Sequence, residues 1–165
     1  MWITRTETSS DVAAVRSIVL AAFETALEAD LVDALREDPA WIDGLSWVAE
    51  TSAGEVAGYT LLTRCHIGET PALCLAPVAV SPEHQRTGAG GAVIRSALAA
   101  ATEMGERFVT VLGHPEYYPK FGFGRASAAG ITIPMDVPDE AMMAMSLDGS
   151  PLPSGMVRYA KPFGI

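Results

Sequence analysis

The residues whose types and spacing could do chemistry cluster between positions 73 and 123, and at their centre stands Gln85-Arg86-Thr87-Gly88-Ala89-Gly90. An apolar, strand-like run from Leu73 to Val80 leads into this loop. A stripe of Val93, Ile94, Ala97, Leu98 and Ala101 at helical spacing leads out of it. The order is therefore strand, tight loop, helix. Gly88, Gly90 and Gly91 carry no Cβ, so a ligand can come close to the backbone. The first N–H groups of a helix have no partner within it, and the helix dipole adds partial positive charge there. Such a loop suits a phosphate or a diphosphate. Two familiar nucleotide signatures fail. No Lys follows these glycines, as Gly-x-x-x-x-Gly-Lys-Ser/Thr requires, and Gly88-Ala89-Gly90-Gly91-Ala92-Val93 ends in Val where Gly-x-Gly-x-x-Gly needs a glycine.

A second constellation, Gly113-His114-Pro115-Glu116-Tyr117-Tyr118-Pro119-Lys120-Phe121-Gly122-Phe123, follows after one helix and one strand. The pattern Gln/Arg-x-x-Gly-x-Gly/Ala behind a strand, with this aromatic segment at that distance, resembles the GNAT superfamily of N-acetyltransferases. The likeness runs along nearly the whole chain, since Ile3 to Phe23 and Trp47 to Leu62 look like the family's opening strand, helix and hairpin. It implies that Gln85, Arg86, Thr87, Gly88, Ala89, Gly90 and Gly91 hold the pyrophosphate of acetyl-CoA. It further implies that the backbone of Val78, Ala79 and Val80 meets the pantetheine arm, and that Tyr118, five residues before Phe123, lies near the CoA sulfur. Tyr117 is placed beside the cofactor. His114 has two readings, a base or pantetheine contact at the end of its strand, or a loop histidine capping Pro115 and Tyr117.

The totals bound these expectations. At 165 residues, 49% of them hydrophobic, the chain is long enough for one domain, residues 1–165, with a proper core. Its apolar runs are too short to span a membrane, and Met1-Trp2-Ile3-Thr4-Arg5 lacks the regions of a signal peptide, so a cytoplasmic protein with no membrane partner is expected. The net charge of −9 is unevenly spread. From His84 to Arg125 there are five basic residues (Arg86, Arg95, Arg107, Lys120, Arg125) against three acidic ones (Glu103, Glu106, Glu116), so this segment is +2 and the remainder −11. No basic stripe exists to meet nucleic acid. Cys65 and Cys74 match no metal or redox spacing and read as buried reduced thiols. The three histidines show no paired metal spacing, and no metal site is expected.

The rest of the chain must position the loop. Trp2 to Thr6 reads as a strand, and Ser9 or Ser10 as the cap of a helix with Val12, Val15, Ile18, Val19, Ala22 and Phe23 on its apolar stripe. A second helix runs from about Ala29 to Glu37, ended by Pro39. The joint between them carries Glu24 and Glu28, with Asp30 and Asp33 beyond, where the resemblance puts a wall of the acceptor site; solvated helix faces are the simpler reading of these acids. Leu45–Glu50 and Val56–Thr63 form a hairpin, and Pro77 interrupts the next strand. Arg107–Leu112 follows the central helix and pairs in parallel with that strand. Short strands within 128–133, 141–147 and 156–160 close the chain, with Met142, Met143 and Met145 packed on the sheet. The resemblance thus implies an α/β fold of the α+β kind, a mostly antiparallel central sheet with a splayed parallel pair and helices on both faces.

The implied reaction is direct transfer of an acetyl group from acetyl-CoA to an amine, with Tyr118 as the acid for the departing thiolate. A backbone N–H near Val78 or Ala79 would steady the oxyanion. The acceptor is a small-molecule or peptide amine that the residues do not name, and a homodimer paired through the final strands is left open. The alternative is a non-catalytic acyl-CoA-binding regulatory domain.

Overall fold

The computed structural model of the protein describes residues 2–165. Its strands are β1 (Ile3–Thr6), β2 (Ser46–Glu50), β3 (Val56–Ile67), β4 (Thr70–Val80), β5 (Phe108–Leu112), β6 (Gly124–Arg125), β7 (Ile131–Thr132), β8 (Met142–Ser146) and β9 (Gly155–Arg158). Three helices, α1 (Val12–Ala22), α2 (Leu27–Arg36) and α3 (Ala89–Glu103), join them. The sheet order is β1-β2-β3-β4-β5-β8-β6, with β9 bridging β3 and β7. Antiparallel pairing dominates, and β4 with β5 is the parallel pair inside that order. Among the described residues no helix is long and apolar enough to cross a membrane.

Alternation along the strands divides the core between two faces. Leu73 and Leu75 of β4 meet Ile94, Ala97, Leu98 and Ala101 of α3 on one face. On the other, Tyr59, Leu61 and Ala79 meet Val15, Ile18 and Val19 of α1 and Val32 and Leu35 of α2. Cys65, Ala72 and Cys74 meet Phe108, Met142 and Ala144, and with them the closing segments. Each fully buried aliphatic side chain contributes about 1.5–3 kcal/mol, so the stripes read from sequence are what fasten α3 to the sheet.

Two local readings change. Ser9 and Ser10 do not cap α1; with Asp11 they form a turn of 3₁₀ helix after Thr8. The Asp11 carboxylate takes the Thr8 N–H at 2.7 Å and is gripped from the other side by Arg5 at 2.7 and 3.0 Å. A carboxylate accepts several donors at once, which a serine hydroxyl does not, so the acid became the anchor. The second strand of the hairpin also runs on to Ile67, because β4 pairs with it as far as Ile67–Thr70 and β9 lies along the other edge at His66 and Ile67.

Candidate active site

The interruption at Pro77 is real and opens the site. The pairing of β3 with β4 slips between Thr60, opposite Val78, and Leu62, opposite Leu75, and the Ala76–Pro77 peptide bond in the slipped stretch is cis. The Thr60 hydroxyl donates to the Pro77 carbonyl at 3.2 Å and pins the irregularity. On its other edge β4 pairs with β5 only at Leu73–Val109 and Cys74–Thr110. Beyond that point the two strands part, so the outward backbone groups of Val78 and Val80 face no strand, while Ala79 is turned to Tyr59 of β3 and the Val80 carbonyl accepts from the Gln85 side-chain amide at 3.4 Å.

At the end of β4 the chain turns through Pro82–His84 and enters α3. Arg86 has φ +64° and Gly88 φ +92°, and the first helical hydrogen bond runs from the Ala92 N–H to the Gly88 carbonyl at 3.0 Å. The N–H groups of Ala89, Gly90 and Gly91 therefore have no partner inside the helix. The loop is braced from outside the motif: the Trp2 indole N–H donates to the Thr87 carbonyl at 3.1 Å, and the Trp2 ring meets His84 edge-on at 5.3 Å. The Thr87 hydroxyl donates to the His84 carbonyl.

A cleft of about 380 Å³ lies over this loop, lined by Val80, His84, Gln85, Arg86, Gly88, Ala89, Gly90, Gly91, Arg95, Tyr117 and Lys120. Seven of the eight lining positions from Val80 to Gly91 belong to the expected set, and His84 is the addition. Val78 and Ala79 continue along β4 beyond the cleft, Thr87 is not among the lining residues, and His114 is exposed at the end of β5, its carbonyl accepting the Tyr117 N–H at 3.1 Å. Beside the cleft-lining His84, the possible ligand atoms of Glu55, Glu83 and His84 lie within 4.8 Å of one another, with Glu55 at 3.6 Å from His84 Nε2.

The two tyrosines divide their tasks. Tyr117 reaches the anion loop, since a Cβ on Gly90 would stand 3.1 Å from its hydroxyl. Tyr118 is buried behind it, its ring close against Gly113 at the end of β5 and edge-on to Tyr117 at 5.1 Å and to Phe123 at 6.0 Å. Burial, and then the neighbouring Tyr117, push the Tyr118 phenol up to about 12, so it holds its proton at any ordinary pH. Burial also raises Tyr117, opposed by Arg95. Cys74, fully enclosed under β3 and β5, is raised well above a free thiol by burial and has no nucleophile's environment.

Arg95 and Lys120 were counted in the basic segment but not placed at the site by spacing. Arg95 lies over the Phe121 ring at 4.9 Å, and Lys120 Nζ over Tyr117 at 4.0 Å. Three of the acids at and beyond the α1–α2 joint have partners within the chain. Asp30 and Asp33 bind Arg16 at 3.0 and 2.7 Å, and Glu28 accepts from Thr25 at 3.0 Å.

In comparison with known proteins, the acetyltransferase (GNAT) domain model matches residues 43–125, which hold the β4–β5 break and the start of α3. The chain belongs to the GNAT family of N-acetyltransferases. Within the family it is 38% identical over 162 residues to the N-acetyltransferase YjhQ of Escherichia coli K12, covering 93% of this chain and 89% of that one. The structure is similar to the crystal structure of the GNAT N-acetyltransferase YhbS from E. coli in complex with CoA, with a TM-score of 0.90 and 26% identity over 99% of this chain and 92% of that one. A GNAT acetyltransferase from Brucella melitensis in complex with acetyl-CoA gives 0.82 and 30% over 99% and 98%. The fold expected for a GNAT enzyme is the fold found.

Proposed function

We propose that the amides from Gly88 to Gly91, with Arg86, bind the pyrophosphate of acetyl-CoA, that the free edge of β4 from Val78 to Val80 receives the pantetheine arm, and that Tyr118 supplies the proton for the leaving thiolate. The observation that carries this is the break between β4 and β5 after Cys74, opening beside a helix start whose flank holds Arg86, Arg95 and Lys120. YhbS in complex with CoA and the Brucella enzyme in complex with acetyl-CoA support the same cofactor here.

The chemistry then follows from placement. A neutral amine adds to the thioester carbonyl, forming the C–N bond and a tetrahedral oxyanion; of the two candidate donors, Val78 and Ala79, the N–H of Val78 is the one that would steady it, since Ala79 is turned to Tyr59. Collapse expels the thiolate, and the Tyr118 phenol protonates it while the new amide sheds its proton to solvent. A phenol at about 12 is a weak acid towards an ordinary thiol, but a thiolate in the same apolar gap is raised by burial too, which narrows the difference. No enzyme-bound acyl intermediate is needed, since the enclosed thiol of Cys74 has no base beside it. The acceptor is an amine of a small molecule or peptide, taken up by this single catalytic domain.

Release of free CoA from acetyl-CoA, followed against a panel of amines, peptides and polyamines, tests this. Turnover with one class and none without acceptor is the expected result. Protein that binds acetyl-CoA yet releases no thiol with any class would instead be a binding domain.

A further inference from the structure

Arg95 and Lys120 stand out among the five basic residues in no ion pair between described residues, the others being Arg86, Arg158 and Lys161, because these two share an aromatic ring. The chain carries 20 Asp and Glu against 11 Lys and Arg, and Arg5, Arg16, Arg36, Arg64, Arg107 and Arg125 each lie in an ion pair. Among the described residues Arg95 and Lys120 have no such pair. Both instead share one ring, Phe121, at 4.9 and 5.5 Å, with Lys120 also over Tyr117. Two like charges drawn to one aromatic ring repel each other unless an anion joins them, and the rings hold both heads in place beforehand. Asp148, next in sequence to the groove-lining Leu147, is engaged by Arg107 at 3.5 Å and by the Ser150 N–H at 2.9 Å.

The same two cations lie where two clefts meet. The first covers the loop amides; the second, about 290 Å³, continues along α3 and is lined by Leu98, Ala99, Phe121, Met145 and Leu147 as well as Arg95 and Lys120. If the diphosphate sits on the loop and the pantetheine arm enters the gap beside Val80, the nucleoside end of CoA leaves from the other side of the diphosphate. That end carries a flat adenine and, on the ribose 3′ oxygen, a phosphate monoester close to doubly charged at neutral pH. A guanidinium and an ammonium side by side are the donors such a group takes.

We propose that Arg95 and Lys120 bind the ribose 3′-phosphate, with adenine against Leu98, Phe121 and Met145, so that this enzyme selects CoA over its 3′-dephospho form. This rests on the cofactor reading above. Calorimetric titration of wild type, Arg95→Gln, Lys120→Gln and the double variant with CoA and with 3′-dephospho-CoA tests it; both side chains are exposed, so the substitutions leave the core intact. Wild type should prefer CoA by about tenfold or more, and the double variant should bind the two ligands within about twofold of each other. Equal binding by wild type overturns this proposal and leaves the cofactor reading standing. A preference that survives in the double variant overturns it likewise, while absence of binding by either ligand brings down both.

Discussion

Gly88 and Gly105 stand at opposite ends of α3 in the same backbone state, φ +92° and +85°, and a Cβ added at either would meet nothing within 4 Å. Replacing each by Ala therefore imposes one defined cost, a left-handed conformation that L residues disfavour by about 1–2 kcal/mol, with no steric clash to confuse it. For a chain of this size that corresponds to a fall in Tm of about 2–8 °C in both variants. Only Gly88→Ala also disturbs the cradle. Relief of the strain by a shift of the loop would turn at least one amide away from the diphosphate. A hydrogen bond to a charged group is worth about 1.5–3 kcal/mol, so the Kd for CoA should rise about tenfold or more. Differential scanning calorimetry and titration calorimetry on the pair read both quantities. The reasoning is refuted if Gly105→Ala weakens CoA binding as much as Gly88→Ala, or if Gly88→Ala loses stability yet binds CoA like wild type.

Replacement of Tyr118 by Phe keeps the ring against Gly113 and removes the proton donor; turnover with the best acceptor should fall about a hundredfold or more with the Kd for CoA little changed, and an unchanged rate would take Tyr118 out of the reaction. With the phenol at about 12, no fall in rate below pH 10 should trace to its ionisation, which a comparison of the wild-type and Tyr118→Phe pH profiles checks. Cys65 and Cys74 are enclosed and held protonated, so a disulfide reagent should label neither in the native protein and both in denaturant. The sign for stability follows from linkage. Burial raises both native thiols above the ~8.5 of an unfolded chain, so the fold binds more protons, and its stability should decline as pH rises past about 9 in denaturant melts. Asp11, lowered mainly by its hydrogen bonds from Arg5, acts oppositely: its contribution is present above the ordinary carboxylate range and lost below about pH 4, and Asp11→Asn should cost about 2–3 kcal/mol at pH 7 and remove that acid transition.

By itself the sequence determined what is local. Glycines at the start of α3, the stripe from Val93 to Ala101 and the proline in β4 each act on backbone within a few residues, where pattern and conformation are tied by sterics and hydrogen bonding. A glycine-rich helix start and an interrupted strand were legible for that reason, and the aromatic segment ending in Phe123 pointed to the family. Only the tertiary structure decided which side chains converge from a distance. Nothing near Arg95 in sequence says that Phe121, 26 positions on, will carry its guanidinium, or that Trp2 will brace the carbonyl of Thr87. The resemblance told Tyr118 from Tyr117 by its spacing to Phe123, but which ring meets Gly90 and which meets Gly113 was decided by packing, because adjacent residues in an irregular turn can point either way. Such meetings depend on how α3 and the segment from Pro115 to Phe121 pack on one sheet, and on carboxylates being spent elsewhere, as Asp30 and Asp33 are on Arg16. That is a property of the whole assembled core and not of any stretch within it.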